Sequence, residues 1–130
     1  MSAKKILIVE DEAVVSLDIN RRLEKMGYEV VGRVASSEEA MELADKNRPD
    51  LVLMDINLQG DIDGIDTATQ LYKDYNLPVI YLTAYAGEST LERAKESKPY
   101  GYILKPFKER ELHAAIEIAI SRHETESLKS

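Results

Sequence analysis

Short apolar runs alternate along the chain with stretches in which apolar residues recur every third or fourth position. Runs of the first kind, bounded by turn residues, predict strands, and the second spacing predicts helices. The predicted strands are residues 5–9, 30–35, 51–54, 79–82 and 100–104. The predicted helices are residues 13–26, a segment after the Ser36–Glu39 capping box through Ala44, a segment marked by Ile65, Ala68, Tyr72 and Tyr75, residues 88–97, and a segment marked by Leu112, Ala115, Ile116 and Ala119.

Five strands that alternate with five helices predict βαβ units and a parallel sheet with helices on both faces. The runs that begin at Ile6, Leu51 and Val79 are continuously apolar, which is typical of central strands, whereas the glycine-containing runs suit the edges. We therefore predict an α/β, flavodoxin-like sandwich with strand order 2-1-3-4-5. The domain is predicted to span residues 4–122, with residues 123–130 as a frayed polar tail or a truncated linker.

Composition and charge exclude several classes of protein. A hydrophobic share of 44% is enough for one packed core, and the absence of cysteine excludes a disulfide framework and a thiolate metal site. The net charge of −7 leaves no basic face for direct nucleic-acid binding. No apolar stretch approaches the roughly 18 residues that a membrane span requires. We expect a cytoplasmic protein that does not enter a membrane.

Polar residues follow four strands at the point where each strand ends. Glu10 and Asp11 follow the first strand, Asp55 the third, Thr83 the fourth and Lys105 the fifth. Open parallel sheets bind ligands at the carboxyl ends of their strands, so these side chains should meet. Two carboxylates about 4 Å apart repel by roughly 4 kcal/mol at an effective dielectric constant near 20, and the cluster therefore needs a cation. Oxygen ligands alone favour Mg²⁺, or Mn²⁺ in its place, and a shared phosphoryl group.

The attacking atom of such a site is best assigned to Asp55. The chain has no cysteine and shows no Ser-His-Asp pattern. His113 falls within a predicted helix and His123 in the tail, so neither lies at a strand end. An aspartate carboxylate can act as a nucleophile and form an aspartyl-phosphate. Asp55 ends the central strand, between the acidic pair and Thr83.

These motifs together resemble those of the response-regulator receiver domain of two-component signalling, in the CheY-like superfamily. The resemblance covers about residues 4–122. It rests on the acidic pair Glu10-Asp11, LVLMD ending at Asp55, LTAYA with Thr83, and GYILKPF with Lys105-Pro106.

The resemblance implies that Asp55 accepts a phosphoryl group from a phosphohistidine of a sensor histidine kinase or a histidine phosphotransfer protein. It implies that Asp11, Asp55 and the backbone carbonyl of Asn57 bind the metal ion, and that Glu10 binds it through water. The protein would then be a phosphoacceptor switch rather than an enzyme, with only its own phosphotransfer and slow autodephosphorylation as chemistry.

The same resemblance implies a switching mechanism. Thr83 and Lys105 would bind the new phosphoryl oxygens, and Tyr102 would turn inward when Thr83 moves. The signal would leave through the face made by the fourth helix, the fifth strand and the fifth helix, which is also compatible with a homodimer. The Lys105–Pro106 bond is expected to be cis.

Two features depart from the usual family pattern or modulate it. Gln59 stands where the family usually has proline, and Gly64 comes one residue late, so the loop between Asn57 and Gly64 is longer and more acidic. Asn57 and Tyr85 occupy positions that tune the lifetime of the phosphoryl group in this family.

Three alternatives fit parts of the sequence. Residues 55–66 match much of an EF-hand calcium loop, but a short strand precedes them instead of a helix. A phosphatase that uses an aspartyl-phosphate would normally have an acid where Asn57 stands. A flavin carrier shares the predicted fold, but its phosphate-binding loop would fall on Glu10, Asp11 and Glu12, which repel phosphate.

Overall fold

The computed structural model describes residues 3–56, 58, 63–84 and 88–129. The strands are β1 (Lys5–Val9), β2 (Glu29–Val34), β3 (Leu51–Asp55), β4 (Val79–Thr83) and β5 (Gly101–Leu104). The helices are α1 (Ala13–Lys25), α2 (Ser37–Lys46), α3 (Gly64–Tyr75), α4 (Glu88–Glu96) and α5 (Glu109–Lys129). All four strand pairings are parallel, in the order β2-β1-β3-β4-β5. The predicted fold and strand order are therefore confirmed.

The sheet has an apolar core on each face because successive side chains of a strand point to opposite sides. Strands β1, β3 and β4 are almost entirely buried, as their continuous apolar runs predict. One core lies under α1 and α5 and includes Ile6, Ile8, Ile19, Leu23, Leu53, Leu112 and Ile116. The other lies under α2, α3 and α4 and includes Leu7, Val9, Ala40, Ala44, Met54, Leu71, Tyr81 and Ala94. Among the described residues, no helix is long and apolar enough to cross a membrane.

Two local predictions are wrong. The helical spacing predicts a buried or half-buried side chain for Tyr72, but Tyr72 is 44% exposed and its neighbour Leu71 occupies the buried position of α3. Helix α5 continues through Lys129, although the polar residues from His123 onward predicted fraying. The extension has tertiary partners: His123 Nε2 lies 2.8 Å from the Asn76 carbonyl oxygen, and the Tyr100 hydroxyl donates to Glu126. Whether residues 123–130 are a tail or a linker stays a prediction.

The first turn of α3 packs directly on the end of β3. A Cβ atom at Gly64 would lie 2.2 Å from the carbonyl oxygen of Asp55 and 3.0 Å from the Cα of Ile56. Only glycine fits at such a distance from another backbone. The N-cap residue, Asp63, accepts a hydrogen bond from the Asp66 amide at 3.0 Å and so begins the helix at this point. The backbone position of Asp55 is therefore set partly by α3.

Helix α4 is joined to the rest of the domain by a core contact and by polar contacts. Of its residues, Ala94 is buried, and Arg93 reaches back to the start of α3. The Arg93 guanidinium lies 2.8 Å from Asp63 Oδ2 and 3.2 Å from Asp66 Oδ1. Burial by itself raises the pKa of Asp63, but hydrogen bonds from Arg93 and from the Asp66 amide outweigh it and hold that pKa below its usual range. The arginine thus ties α4 to the α3 N-terminus through a carboxylate that it keeps charged.

Replacing Gly64 by alanine should destabilise the fold, because the new methyl group cannot coexist with the Asp55 carbonyl. We expect Gly64→Ala to lower the free energy of unfolding by about 3 kcal/mol, as overpacking does, when measured by urea denaturation. Gly27→Ala is the matched control, since Gly27 has open space around it but a φ of +97°. Its loss should be backbone strain alone, about 1 kcal/mol. Equal losses at the two positions would argue against the close approach at Gly64.

Removing the Arg93 guanidinium should raise the pKa of Asp63. An NMR titration of the Asp63 carboxyl group in Arg93→Ala, compared with the parent protein, measures this change. Because the folded-state pKa is depressed, the stabilisation by this ion pair is present above the usual aspartate range and is lost as the pH falls through the depressed value. Lys95→Ala, which removes a charge from α4 without touching Asp63, should leave the titration unchanged. An unaltered pKa in Arg93→Ala would show that the tie does not persist in solution.

Candidate functional site

Three carboxylates converge at the carboxyl edge of the sheet. Glu10 follows β1, Asp11 comes next, and Asp55 is the last residue of β3. One oxygen from each of these side chains lies within 4.8 Å of the others. Glu10 and Asp55 are 2% and 5% exposed, and Asp11 is half-buried. The neighbouring positions of β1 and β3 in the sheet bring these residues together, as the strand order predicts.

Lys105 supplies the opposite charge. Its Nζ lies 2.7 Å from Glu10 Oε1, and the Glu10 side chain has no solvent exposure. The other carboxylate oxygen of Glu10 accepts a hydrogen bond from the Glu12 amide at 3.2 Å. Both oxygens of Glu10 are therefore occupied by partners from the chain. This pairing compensates part of the repulsion among three close acidic groups.

The Glu10–Lys105 ion pair was not predicted from the sequence. The motifs placed both residues at the same edge of the sheet and assigned the ammonium group to an incoming anion. β1 and β5 are not adjacent strands, because β3 and β4 lie between them. The long lysine side chain covers this distance. The sequence shows that acids and a lysine follow strands of one parallel sheet. It does not show which of the acids forms an ion pair with the lysine.

Thr83 ends β4 and is fully buried beside the cluster. Its carbonyl oxygen accepts a hydrogen bond from the Lys105 amide at 2.7 Å, so the ends of β4 and β5 are joined at this point. The Lys105–Pro106 peptide bond is cis, the isomer that the family resemblance implies.

Tyr102 lies on β5 in register with Tyr81 of β4. It is half-buried at the border of the core under α3 and α4, next to a cluster that includes Ala94. Its side chain therefore packs on the core of this face of the sheet. The two remaining residues of the predicted site, Asn57 and Tyr85, lie outside the described residues, as does most of the loop between Asn57 and Gly64.

The described site is chemically suited to a hard cation and a phosphoryl group. Its three convergent acids offer only oxygen donors. Mg²⁺ prefers oxygen ligands, whereas several other divalent ions favour nitrogen or sulfur. The ammonium group of Lys105 and the hydroxyl of Thr83 flank the same edge and are donors suited to phosphoryl oxygens. The chain has no cysteine, so a carboxylate oxygen is the best candidate to accept a phosphoryl group.

The family model and the curated relatives that match this chain all belong to one family. The family model described as the response regulator receiver domain matches residues 6–117. The transcriptional regulatory protein PdtaR of Mycobacterium tuberculosis is 40% identical over 119 residues, which are 92% of this chain and 58% of that protein. The phyllosphere-induced regulator PhyR of Methylorubrum extorquens is 34% identical over 119 residues, 91% of this chain and 44% of that protein. The chain thus spans about half the length of these curated relatives.

Solved structures match over nearly the whole chain. The signal receiver domain of a modulated diguanylate cyclase from Desulfovibrio desulfuricans superposes with a TM-score of 0.92 at 39% identity, covering 96% of this chain and 99% of that one. A CheY-like response regulator receiver domain from Methanospirillum hungatei gives 0.87 at 28% identity, covering 96% and 99%. The strand order and the matched length agree with these relatives, and the chain belongs to the family of response regulator receiver domains of two-component signalling.

Proposed function

We propose that Asp55 accepts a phosphoryl group from a phosphohistidine of a sensor histidine kinase or a histidine phosphotransfer protein, in a Mg²⁺-dependent reaction. The observation that carries this proposal is the convergence of three carboxylates, with Lys105, at the carboxyl edge of the sheet. Receiver domains of response regulators are signalling switches rather than typical enzymes, and phosphorylation-dependent switching is a general property of the family. A cytoplasmic location is part of the same proposal.

The metal ion would be held by Asp11 and Asp55, with the backbone carbonyl of Asn57 as a further ligand. Glu10 would act through a water molecule, as the family resemblance implies; its two oxygens also accept from Lys105 and the Glu12 amide. When bound, Mg²⁺ neutralises the acidic cluster and orients the phosphoryl oxygens. Mn²⁺ offers the same preference for oxygen ligands and should substitute.

Asp55 supplies the atom that attacks. A bond forms between one carboxylate oxygen of Asp55 and the phosphorus atom, the bond from phosphorus to the imidazole nitrogen breaks, and the donor histidine leaves. Asp55 is 5% exposed, so bulk water has little access to the reacting oxygen. Lys105 and Thr83 would bind phosphoryl oxygens. Lys105 would exchange its contact with Glu10 for one with the phosphoryl group, since both lie at the same edge of the sheet.

The switch follows from the charge that phosphorylation adds, about −1.5 to −2 together with three acceptor oxygens. Thr83 is the last residue of β4, and a shift of its hydroxyl toward the phosphoryl group would move the segment that leads to α4. Tyr102 would then turn into the vacated space. Three contacts of the described residues would have to adjust if α4 moved. They are the packing of Ala94, the Arg93 ion pairs, and the hydrogen bond between Tyr81 and Ser97, just after the helix. The signal would leave through the face formed by α4, β5 and α5.

The kinase or phosphotransfer partner would approach beside Lys105. A groove of about 490 Å³ runs between α1 and the segment after β5, and the exposed apolar side chain of Val14 lines it together with Leu17, Pro106 and Phe107. An apolar surface next to the acceptor edge would allow a partner to bring its phosphohistidine to Asp55. The lifetime of the phosphoryl group, tuned by Asn57 and Tyr85, is part of the same proposal.

Acetyl phosphate and Mg²⁺ should add the mass of one phosphoryl group to the protein, as measured by intact mass spectrometry. Asp55→Asn should abolish this addition, because an amide is not a nucleophile for phosphorus. Asp74→Asn, an exposed change at the far end of α3, is the matched control and should be labelled like the parent. Labelling of Asp55→Asn at the parental rate would place the acceptor elsewhere. Omission of Mg²⁺ should lower labelling of the parent and of Asp74→Asn.

Replacing Lys105 by methionine should leave the buried Glu10 carboxylate without a positive charge beside it, although the Glu12 amide still donates to it. Breaking a buried ion pair on one side costs about 3 kcal/mol, and we expect a loss of that size in the free energy of unfolding without Mg²⁺. Lys46→Met, which breaks an exposed pair with Glu42, should change stability within the measurement error. Mg²⁺ should stabilise Lys105→Met more than the parent, because the cation takes over the missing positive charge. Equal losses in the two variants would contradict the role assigned to Lys105.

A further inference from the structure

The first turn of α3 lies against the main chain of the proposed acceptor. A Cβ atom at Gly64 would lie 2.2 Å from the carbonyl oxygen of Asp55 and 3.1 Å from its carbonyl carbon. Gly64 and the next residue, Ile65, are both buried. Packed interiors transmit displacements because they contain little free space. A shift of this turn would therefore be felt by the residue that carries the reacting carboxylate.

Asp63 fixes the point at which α3 begins. Its Oδ1 accepts a hydrogen bond from the Asp66 amide at 3.0 Å. Its carbonyl oxygen accepts from the Thr67 amide at 3.1 Å and from the Thr67 hydroxyl at 2.8 Å. A capping side chain satisfies an amide that has no partner within the helix. Asp63 thus holds the turn that rests on Asp55 through its side chain and through its main chain.

Arg93 binds both carboxylate oxygens of Asp63. Its Nη1 lies 2.8 Å from Asp63 Oδ2 and its Nη2 lies 3.3 Å from Asp63 Oδ1. The same Nη2 lies 3.2 Å from Asp66 Oδ1. Two side-by-side contacts between a guanidinium and a carboxylate fix their relative orientation as well as their distance. The cap at the start of α3 is therefore oriented by a residue of α4.

The helix that carries Arg93 is anchored next to it. Ala94 is 1% exposed and belongs to the core under α2, α3 and α4. The Ser97 hydroxyl, just after the helix, donates to the Ala94 carbonyl oxygen at 2.7 Å and lies 2.6 Å from the Tyr81 hydroxyl of β4. β4 in turn pairs with β3, the strand that ends at Asp55. Arg93 thus reaches Asp63 from a helix fixed to the same sheet.

The segment between Asp55 and α3 gives a reason for such a link. Gly64 comes one residue later in this sequence than in the family pattern that it resembles, and Gly60 lies within the segment. A longer connection with a glycine costs more conformational entropy to hold in one arrangement. Contacts from outside the segment, such as those of Arg93, can supply the constraint that the connection itself supplies less well.

We propose that Asp63 and Arg93 are positioning residues for the phosphotransfer, which together hold the first turn of α3 against Asp55. Neither belongs to the acidic cluster, and both act through the main chain of Gly64. A reaction that needs close alignment of the attacking oxygen loses rate when the residue that carries this oxygen is less firmly held. The inference rests on the proposed function, in which Asp55 is the phosphoryl acceptor.

The rate of labelling by acetyl phosphate at saturating Mg²⁺, followed by intact mass spectrometry, tests the proposal. We expect Arg93→Ala and Asp63→Asn each to slow labelling about fivefold, because the acceptor is less firmly held. Asparagine keeps the helix cap and loses the ion pair. The two changes alter the net charge in opposite directions, so attraction or repulsion of the anionic reagent cannot slow both.

The double variant and a matched control complete this test. Arg93→Ala combined with Asp63→Asn should be no slower than either change alone, since the two residues act through one contact. Lys95→Ala removes a positive charge from the same helix without touching Asp63, and it should be labelled like the parent. Circular dichroism at the assay temperature should show that each variant is folded, so that a lower rate does not reflect unfolded protein.

The NMR signal of the Ile56 amide gives a readout that does not require phosphorylation. Ile56 follows Asp55, and its Cα would lie 3.0 Å from a Cβ atom at Gly64. We expect this signal to shift in Arg93→Ala and in Asp63→Asn and to stay in place in Lys95→Ala.

Three results would overturn the positioning role. They are parental labelling rates in Arg93→Ala and Asp63→Asn, a double variant in which the two losses multiply, and an Ile56 signal that does not shift. Labelling of Asp55→Asn at the parental rate would instead overturn the proposed acceptor. The Ile56 signal would then still decide whether Asp63 and Arg93 hold this turn in place.

Discussion

Mutual repulsion among Glu10, Asp11 and Asp55 is the constraint on which the rest of the site depends. A parallel sheet brings the ends of its strands to one edge, and here that edge collects three acids, two of them nearly inaccessible to water. Such a cluster is stable only if positive charge reaches it, and Lys105 provides part of that charge by pairing with the buried Glu10. The three acids also offer the oxygen donors that the proposed divalent cation requires. A cation there would allow a phosphoryl group, itself negative, to approach Asp55.

The same edge is linked to α4 by a series of contacts. Gly64 allows the first turn of α3 to rest on the Asp55 carbonyl, and Asp63 of that turn is bound by Arg93 of α4. Thr83 is joined to Lys105 through its carbonyl oxygen. Contacts therefore run from the backbone of Asp55 through the first turn of α3 to Arg93 of α4.

Helix α5 packs on the domain along most of its length. Its inner face completes the core under β1, β3 and β4, and its last turns contact Tyr100, which precedes β5, through His123 and Glu126. These contacts order the end of the helix although its sequence is polar.

The sequence by itself determined the α/β class, the strand order and the set of residues at the carboxyl edge, because the period of apolar positions and the residues that end each strand are local properties of the chain. It did not determine that Lys105 pairs with Glu10, that Arg93 joins α4 to α3, or that α5 continues past His123. Each of these depends on polar side chains that are distant in the chain and become partners only when the strands are assembled. A polar residue in the sequence predicts exposure by default, and only the tertiary structure decides which of them finds an opposite charge or a carbonyl oxygen close enough to bind.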